Sequence, residues 1–159
     1  MDIKNITIRV YGIVMDNTKG VLVSDEYIRG KYYTKFPGGG LEPGEGTKDC
    51  LIREMKEETG VDVNIGAHIY TTDFFQPSAF KDSDQIISIY YHVIAENNDI
   101  FQTNEMPFAF GPKDLSMVVQ AESLRWLAWE NFNAESVSLP IDKVVVALLK
   151  ENLSNINSF

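Results

Sequence analysis

Cysteine is almost absent. Cys50 is the single one in 159 residues, so no internal disulfide can staple the chain, which fits a reducing cytoplasm. Its place near the acidic edge of a predicted helix suits a small buried residue beneath a loop better than a reactive thiol. Histidine is nearly as scarce. His68 and His92 are far apart and outside any compact ligand spacing, which argues against a histidine-built metal site; His92 reads as a packed strand residue. Positive charge is also short, 14 Lys and Arg against 23 Asp and Glu, and the net charge of −9 argues against binding a nucleic-acid polymer. It leaves nucleotides open, because a bound divalent cation reverses the local field. No uncharged apolar run is long enough to span a membrane, and Met1-Asp2-Ile3-Lys4 begins no signal-peptide core. Repeats and low-complexity linkers are missing too.

What is present suits one packed domain over residues 1–159, because 44% hydrophobic residues exceed what a disordered acidic chain carries. Residues 5–15 predict a strand with Ile6, Ile8, Val10, Gly12 and Val14 on one face. A turn at 16–20 and a short strand at Val21-Leu22-Val23 complete a hairpin at the centre of a mixed sheet. Residues 32–36 form another short strand, followed by strands within 61–75, at 86–95 and at 123–129. Ile86 to Ala95 is apolar nearly throughout, which places most of Tyr90, Tyr91, Val93 and Ile94 in the core. Pro140 opens a helix with Val144, Val145, Leu148 and Leu149 as its apolar stripe, and residues 152–159 fray. Residues 96–120 lack a regular pattern; they suit a substrate cover, a partner-binding hairpin or a contact in a homodimer.

The chemistry concentrates between Gly38 and Val61. Gly38-Gly39-Gly40 follows Pro37 at the end of a strand, where backbone can approach a ligand closely. A helix over 48–59 follows, with Thr47 as its N-cap and Gly60 as its left-handed C-cap. With Glu54 at zero on a helical wheel, Glu58 falls at about 40° and Glu57 at about 300°, so three carboxylates share one face. Leu51, Ile52, Met55 and Thr59 fall at roughly 60° to 160° and can pack on a sheet. A solvated acidic face is the competing account of the helix alone. The glycine turn shifts the balance toward a hard cation bound by Glu54, Glu57 and Glu58, with Arg53 bridging Glu45 and Glu57.

Gly39, five residues, Glu45, seven residues, then Arg53-Glu54-Met55-Lys56-Glu57-Glu58-Thr59-Gly60-Val61 resembles the signature of the Nudix (MutT-like) hydrolases, with every fixed position filled in register from 39 to 61. The resemblance implies an α+β fold, an α/β/α sandwich around a mixed sheet with the C-terminal helix opposite the signature helix. It implies hydrolysis of a phosphoric anhydride with magnesium, manganese able to substitute. Glu54, Glu57, Glu58 and the Gly38 carbonyl would carry metal, and Glu45 and Arg53 would brace the turn. Glu122, an acidic residue shortly before a tryptophan-bearing strand, is the further candidate for metal or base. Glu54 is the favoured general base, then Glu122, then Glu105. Gly39 and Gly40, Arg29 and Phe75 are the candidates for touching substrate. The favoured substrate is ADP-ribose or a related nucleoside diphosphate conjugate; a nucleoside triphosphate pyrophosphohydrolase and a non-catalytic nucleotide sensor are the alternatives.

Overall fold

The β-branched residues near the N-terminus form a strand as expected, but its partners are far along the chain. Strand β1 (Asn5–Ile13) pairs in parallel with β7 (Asp84–Ile94), from Asn5 opposite Asp84 to Ile13 opposite His92. On its other side β1 pairs antiparallel with β5 (Gly38–Gly40), which puts Arg9 opposite Gly40 and Tyr11 opposite Gly38. Strand β6 (Asn64–Thr71) closes the far edge, giving the order β5-β1-β7-β6. The expected central hairpin is therefore corrected: β2 (Met15–Asp16) and β3 (Gly20–Ile28) belong to a second sheet with β4 (Lys31–Lys35) and β8 (Gln120–Leu127). The computed structural model describes residues 2–110 and 120–156, in two compact units. Met1–Met15 with Pro37–Phe101 make the first, and Asp16–Phe36 with Gln102–Phe159 the second.

The first unit is organised by helix α1 (Thr47–Thr59) against β1. Cys50, Leu51 and Met55 are fully buried, each large apolar side chain contributing about 1.5–3 kcal/mol. Ile52, expected on that face, is 41% exposed. β1 is not buried by simple alternation: Ile6 is open to solvent, whereas Val10, Tyr11, Gly12, Ile13 and Val14 are all buried. Strand β7 likewise buries Ser88, Tyr90 and Val93, but Ile94 is 57% exposed and Tyr91 only partly covered.

In the second unit β3 lies between β4 and β8, antiparallel to both. It runs well past the expected Val21–Val23, and its buried stretch includes Ser24, Asp25 and Glu26. Burial of such charges demands partners. Asp25 accepts from Arg125 Nε at 2.7 Å and Nη2 at 3.0 Å, from Thr34 Oγ1 at 2.7 Å and from the Phe108 amide at 3.2 Å. Glu26 pairs with Lys35 at 3.1 Å. Helix α2 (Pro140–Ile156) buries Ile141, Val145, Val146 and Leu149, and is helical past residue 152, where fraying was expected. The expected turn at 111–114, and the end of the expected frayed tail at 157–159, lie outside the described residues. Among the described residues no helix is long and apolar enough to cross a membrane.

Gly12 sets how closely α1 approaches the sheet. A Cβ there would stand 2.6 Å from Val93 Cγ2, 3.4 Å from Leu51 Cδ1 and 3.5 Å from Met55 Sδ. Overpacking this seam with Gly12→Val should cost about 1–3 kcal/mol. Urea unfolding checks it: the midpoint should fall while the slope stays constant.

Candidate active site

Helix α1 is held at both ends by backbone chemistry. Gly46, not Thr47, occupies the N-cap, and the Asp49 carboxylate accepts the Gly46 amide at 3.1 Å. Thr47 is used otherwise, its hydroxyl sharing a 2.7 Å hydrogen bond with that of Tyr91. Gly60 takes the expected left-handed conformation, φ 73°, and its amide donates to Lys56 O at 2.9 Å.

Strand β5 is an edge strand, so alternate backbone groups of its three glycines face outward, and α1 takes them. The Gly38 amide donates to Glu58 Oε2 at 3.1 Å, and Gly40 O accepts from Arg53 Nη2 at 3.1 Å. A side chain at Gly39 would collide with the Glu54 carboxylate, and one at Gly38, where φ is 147°, would collide with the Val10 carbonyl. Only glycine lets the carboxylate lie directly on the strand.

Arg53 is the centre of the arrangement. Its Nε and Nη2 form a fork on Glu45 at 3.0 and 2.7 Å, Nη1 reaches Glu54 at 2.9 Å, and weaker 3.4 Å bonds run to Glu57. The bridge expected between Glu45 and Glu57 is present, widened to Glu54 and Gly40. Glu45 also accepts the Glu42 amide at 2.8 Å. The Arg53 fork, then that amide, draw the Glu45 pKa from 4.5 down to about 2. The same bonds push Arg53 further above its already high range. Cys50 lies beneath the turn, fully buried, with Sγ 3.5 Å from Gly40 O. Burial, then the hydrogen bond to Glu45, pushes its thiol up to about 12, so it is inert at neutral pH.

The first unit thus brings together Gly38, Gly39, Gly40, Glu45, Arg53, Glu54, Glu57 and Glu58. Phe75, in the bend after β6, is 54% exposed. Glu122, Arg29 and Glu105 belong to the second unit: Glu122 exposed on β8 opposite Glu26, Arg29 exposed in the β3–β4 turn with φ 48°, and Glu105 exposed in the loop before β8. His68 Nε2 bonds to Thr71 Oγ1 at 2.8 Å, and burial lowers the His92 pKa. Sequence reasoning passed over Arg9. Its signal was the lone charged side chain of β1, which the pairing with β5 sets opposite Gly40.

Among the described residues, no three Asp, Glu, His or Cys side chains converge into a ready cage. Glu54 and Glu57 lean on Arg53 and Glu58 on Gly38. The donor set still fits a hard divalent cation. It is all oxygen, Glu54 sits in a cradle that any Cβ at 39 would fill, and Glu57 is 58% exposed on long bonds that cost little to release.

The clasp predicts an acid response. Because the folded pKa of Glu45 lies below its ordinary value, its contribution is fully present above pH 4.5 and is lost as pH falls toward about 2. Denaturant titrations in that window should show wild type losing an increment of stability that Glu45→Gln lacks.

The NUDIX domain model matches residues 6–147. Nudix hydrolase 2 of Arabidopsis thaliana is 30% identical over 127 residues, covering 75% of this chain and 38% of the plant protein. The 8-oxo-dGTP diphosphatase of Proteus vulgaris is 34% identical over 65 residues, 40% of this chain and 57% of that protein. The aligned region is therefore less than two thirds of either relative's length. A MutT protein structure from Methanosarcina mazei Go1 superposes with a TM-score of 0.60 at 17% identity, covering 94% of this chain and 96% of that one, a likeness of fold. With mixed and antiparallel sheets, two α-helices among the described residues and a filled signature, the chain has the α+β Nudix fold and belongs to the Nudix family.

Proposed function

We propose that this chain hydrolyses a phosphoric anhydride bond in a nucleotide-derived small molecule, with magnesium held by Glu54, Glu57, Glu58 and the Gly38 carbonyl, and manganese as a substitute. Nudix hydrolases generally use a divalent metal, and here the observation that carries the reading is the Arg53 clasp. One guanidinium fixes the glycine turn through Gly40 O and the helix through Glu54, on a brace of Glu45. When bound, the ion polarises phosphoryl oxygens and lowers the pKa of water.

The residues divide the remaining work. The side-chain-free strand lets a phosphate approach backbone, which would leave Gly39 and Gly40 in contact with substrate. Arg53 holds Glu54 Oε1, so Oε2 is the atom we assign to accept the proton from attacking water. Glu122 and then Glu105 are the other candidate bases, and Glu122 the further candidate ligand. Arg29 and Phe75 remain candidates for phosphate and base contacts. We take residues 1–159 as one catalytic domain, working in the cytoplasm, with a homodimer left open.

ADP-ribose, or a similar nucleoside diphosphate conjugate, is the favoured substrate. Phe75, 54% exposed, and Phe74, 40% exposed, supply rings able to stack on a base. The likeness to the Proteus diphosphatase favours a second reading, a nucleoside triphosphate cut to monophosphate and pyrophosphate. At equal magnesium, ADP-ribose should give AMP and ribose 5-phosphate with the highest kcat/KM in a panel of sugar nucleotides, dinucleoside polyphosphates and triphosphates, with products identified by mass spectrometry. A dominant triphosphate would replace the substrate and keep the metal chemistry. Nucleotide binding without products in magnesium or manganese would mark a sensor.

Glu57→Gln and Glu58→Gln should each fold normally and lose roughly 100-fold or more in turnover, beyond the effect usual for an outer-shell residue. Full activity of both at limiting magnesium would remove them as ligands. Glu122→Gln separates two roles. If Glu122 is the base, the variant keeps magnesium affinity while one ionisation disappears from the kcat–pH profile. An unchanged profile leaves that role to Glu54, with Glu105 behind it.

A further inference from the structure

The glycine strand has two faces, and the carboxylates occupy one. Gly39, opposite Val10, turns toward α1 and its Cβ position is filled by the Glu54 carboxylate. Side-chain directions alternate along a strand, so Gly38 and Gly40 turn to the other face. There they meet Tyr11 and Arg9: the Cβ position of Gly40 is 3.9 Å from Arg9 Nη1, and that of Gly38 is 2.9 Å from Tyr11 Cδ1.

Arg9 is held at a defined angle. Its Nε donates to the Tyr11 hydroxyl at 2.7 Å, and its guanidinium carbon lies 5.7 Å from the centroid of the same ring. Tyr11 is itself fixed, 3% exposed and packed on Tyr90 with ring centroids 5.4 Å apart. Arg9 is partly exposed, and its Nη1 lies 3.9 Å from the Cβ position of Gly40. An oriented guanidinium at a sheet edge suits a phosphate oxyanion, because a planar fork can present parallel N–H donors to two phosphoryl oxygens.

We infer that Arg9, aimed by Tyr11, binds an anionic phosphoryl group of the substrate across the Gly38–Gly40 edge, from the face opposite Glu54. This rests on the proposed anhydride chemistry and adds to it a binding residue outside the signature. The carboxylate face is negative, so a polyanionic substrate gains from a positive contact on the other face of the same strand. Arg9 contacts a phosphate that is charged before and during reaction. Its loss therefore weakens ground state and transition state alike, raising KM and leaving kcat nearly unchanged.

The test measures kinetics and equilibrium binding of Arg9→Gln, Arg9→Lys and Tyr11→Phe, with thermal melting as the control for folding. Arg9→Gln should raise KM about tenfold with kcat within about threefold, the size of one charge-assisted hydrogen bond. Its KM should also lose part of its dependence on ionic strength, which a purely structural role would not alter. Arg9→Lys keeps charge without the fork and should fall between the two, and it carries the test if Arg9→Gln melts early. Tyr11→Phe keeps the ring and the charge and should raise KM a few-fold. Calorimetric titration uses the α,β-methylene analogue of ADP-ribose, which resists hydrolysis, beside adenosine. Arg9→Gln should weaken the analogue about tenfold and leave adenosine unchanged. Equal KM and equal analogue affinity in wild type and both Arg9 variants would overturn the inference; if wild type fails to bind the analogue, ADP-ribose is replaced as substrate and the KM of the Arg9 variants on the preferred triphosphate decides. A wild type that binds the analogue but turns over no substrate would instead overturn the catalytic reading, while the titration still decides the role of Arg9.

Discussion

The first unit depends on one guanidinium. Arg53 reaches Glu45, Glu54, Glu57 and Gly40 O, so a single side chain joins the loop before α1, the helix itself and the edge strand. Without that cation Glu54 and Glu57 would face each other three residues apart on one helical face with Glu58 beside them, an arrangement that repels. An arginine suits the task where a lysine would not, because the planar fork fixes direction as well as charge. The Glu45 carboxylate completes the clasp and stays ionised down to about pH 2. Beneath it Cys50 fills the space under Gly40 without adding charge, its thiol kept neutral by burial.

The clasp was legible in the sequence because nearly every part of it is local. Glu45, Arg53, Glu54, Glu57 and Glu58 lie within fourteen positions, and the 3.6-residue period alone puts the carboxylates on one face. The helix end at Gly60 followed from the same logic. What failed was non-local. The expected strand stopped at Val23, whereas β3 continues through Ser24-Asp25-Glu26, where two adjacent acids sit in the core, a rare placement. They are buried because Arg125 on β8 and Lys35 on β4 arrive from 100 and 9 residues away to pair with them. No local pattern announces such a partner. The partner of β1 was hidden for the same reason: parallel pairing with β7 joins residues 79 apart, as at Asn5 and Asp84, and the hairpin read from adjacency was the wrong choice.

The N-cap error has a smaller cause. Thr47 has the right chemistry for a cap, but its hydroxyl is taken by Tyr91, and a glycine at 46 reaches the extended cap conformation without help. A side chain serves one partner at a time, and a tertiary hydrogen bond displaced a local one. Ile52 shows the complementary limit: the wheel placed it at the far edge of the apolar face, about 100° from Leu51, and the buried stripe stops short of it at Cys50, Leu51 and Met55.

Three glycines in a row are usually explained by flexibility, but here each answers to a different neighbour. Gly38 needs a φ of 147° against the Val10 carbonyl, Gly39 yields its space to Glu54, and Gly40 leaves room beside Arg9. The strand is short and at an edge, so it contributes little to the sheet beyond its bonds to β1. Its value lies in what approaches it. Acidic oxygens reach it from the helix side and a cation from the other, with backbone alone between them. A metal and an anionic phosphate, as proposed, would each use one of those two faces. A side chain at Gly39 would displace the Glu54 carboxylate and one at Gly38 would strike the Val10 carbonyl, so the bare strand is what lets the helix carboxylate and Arg9 reach the same edge.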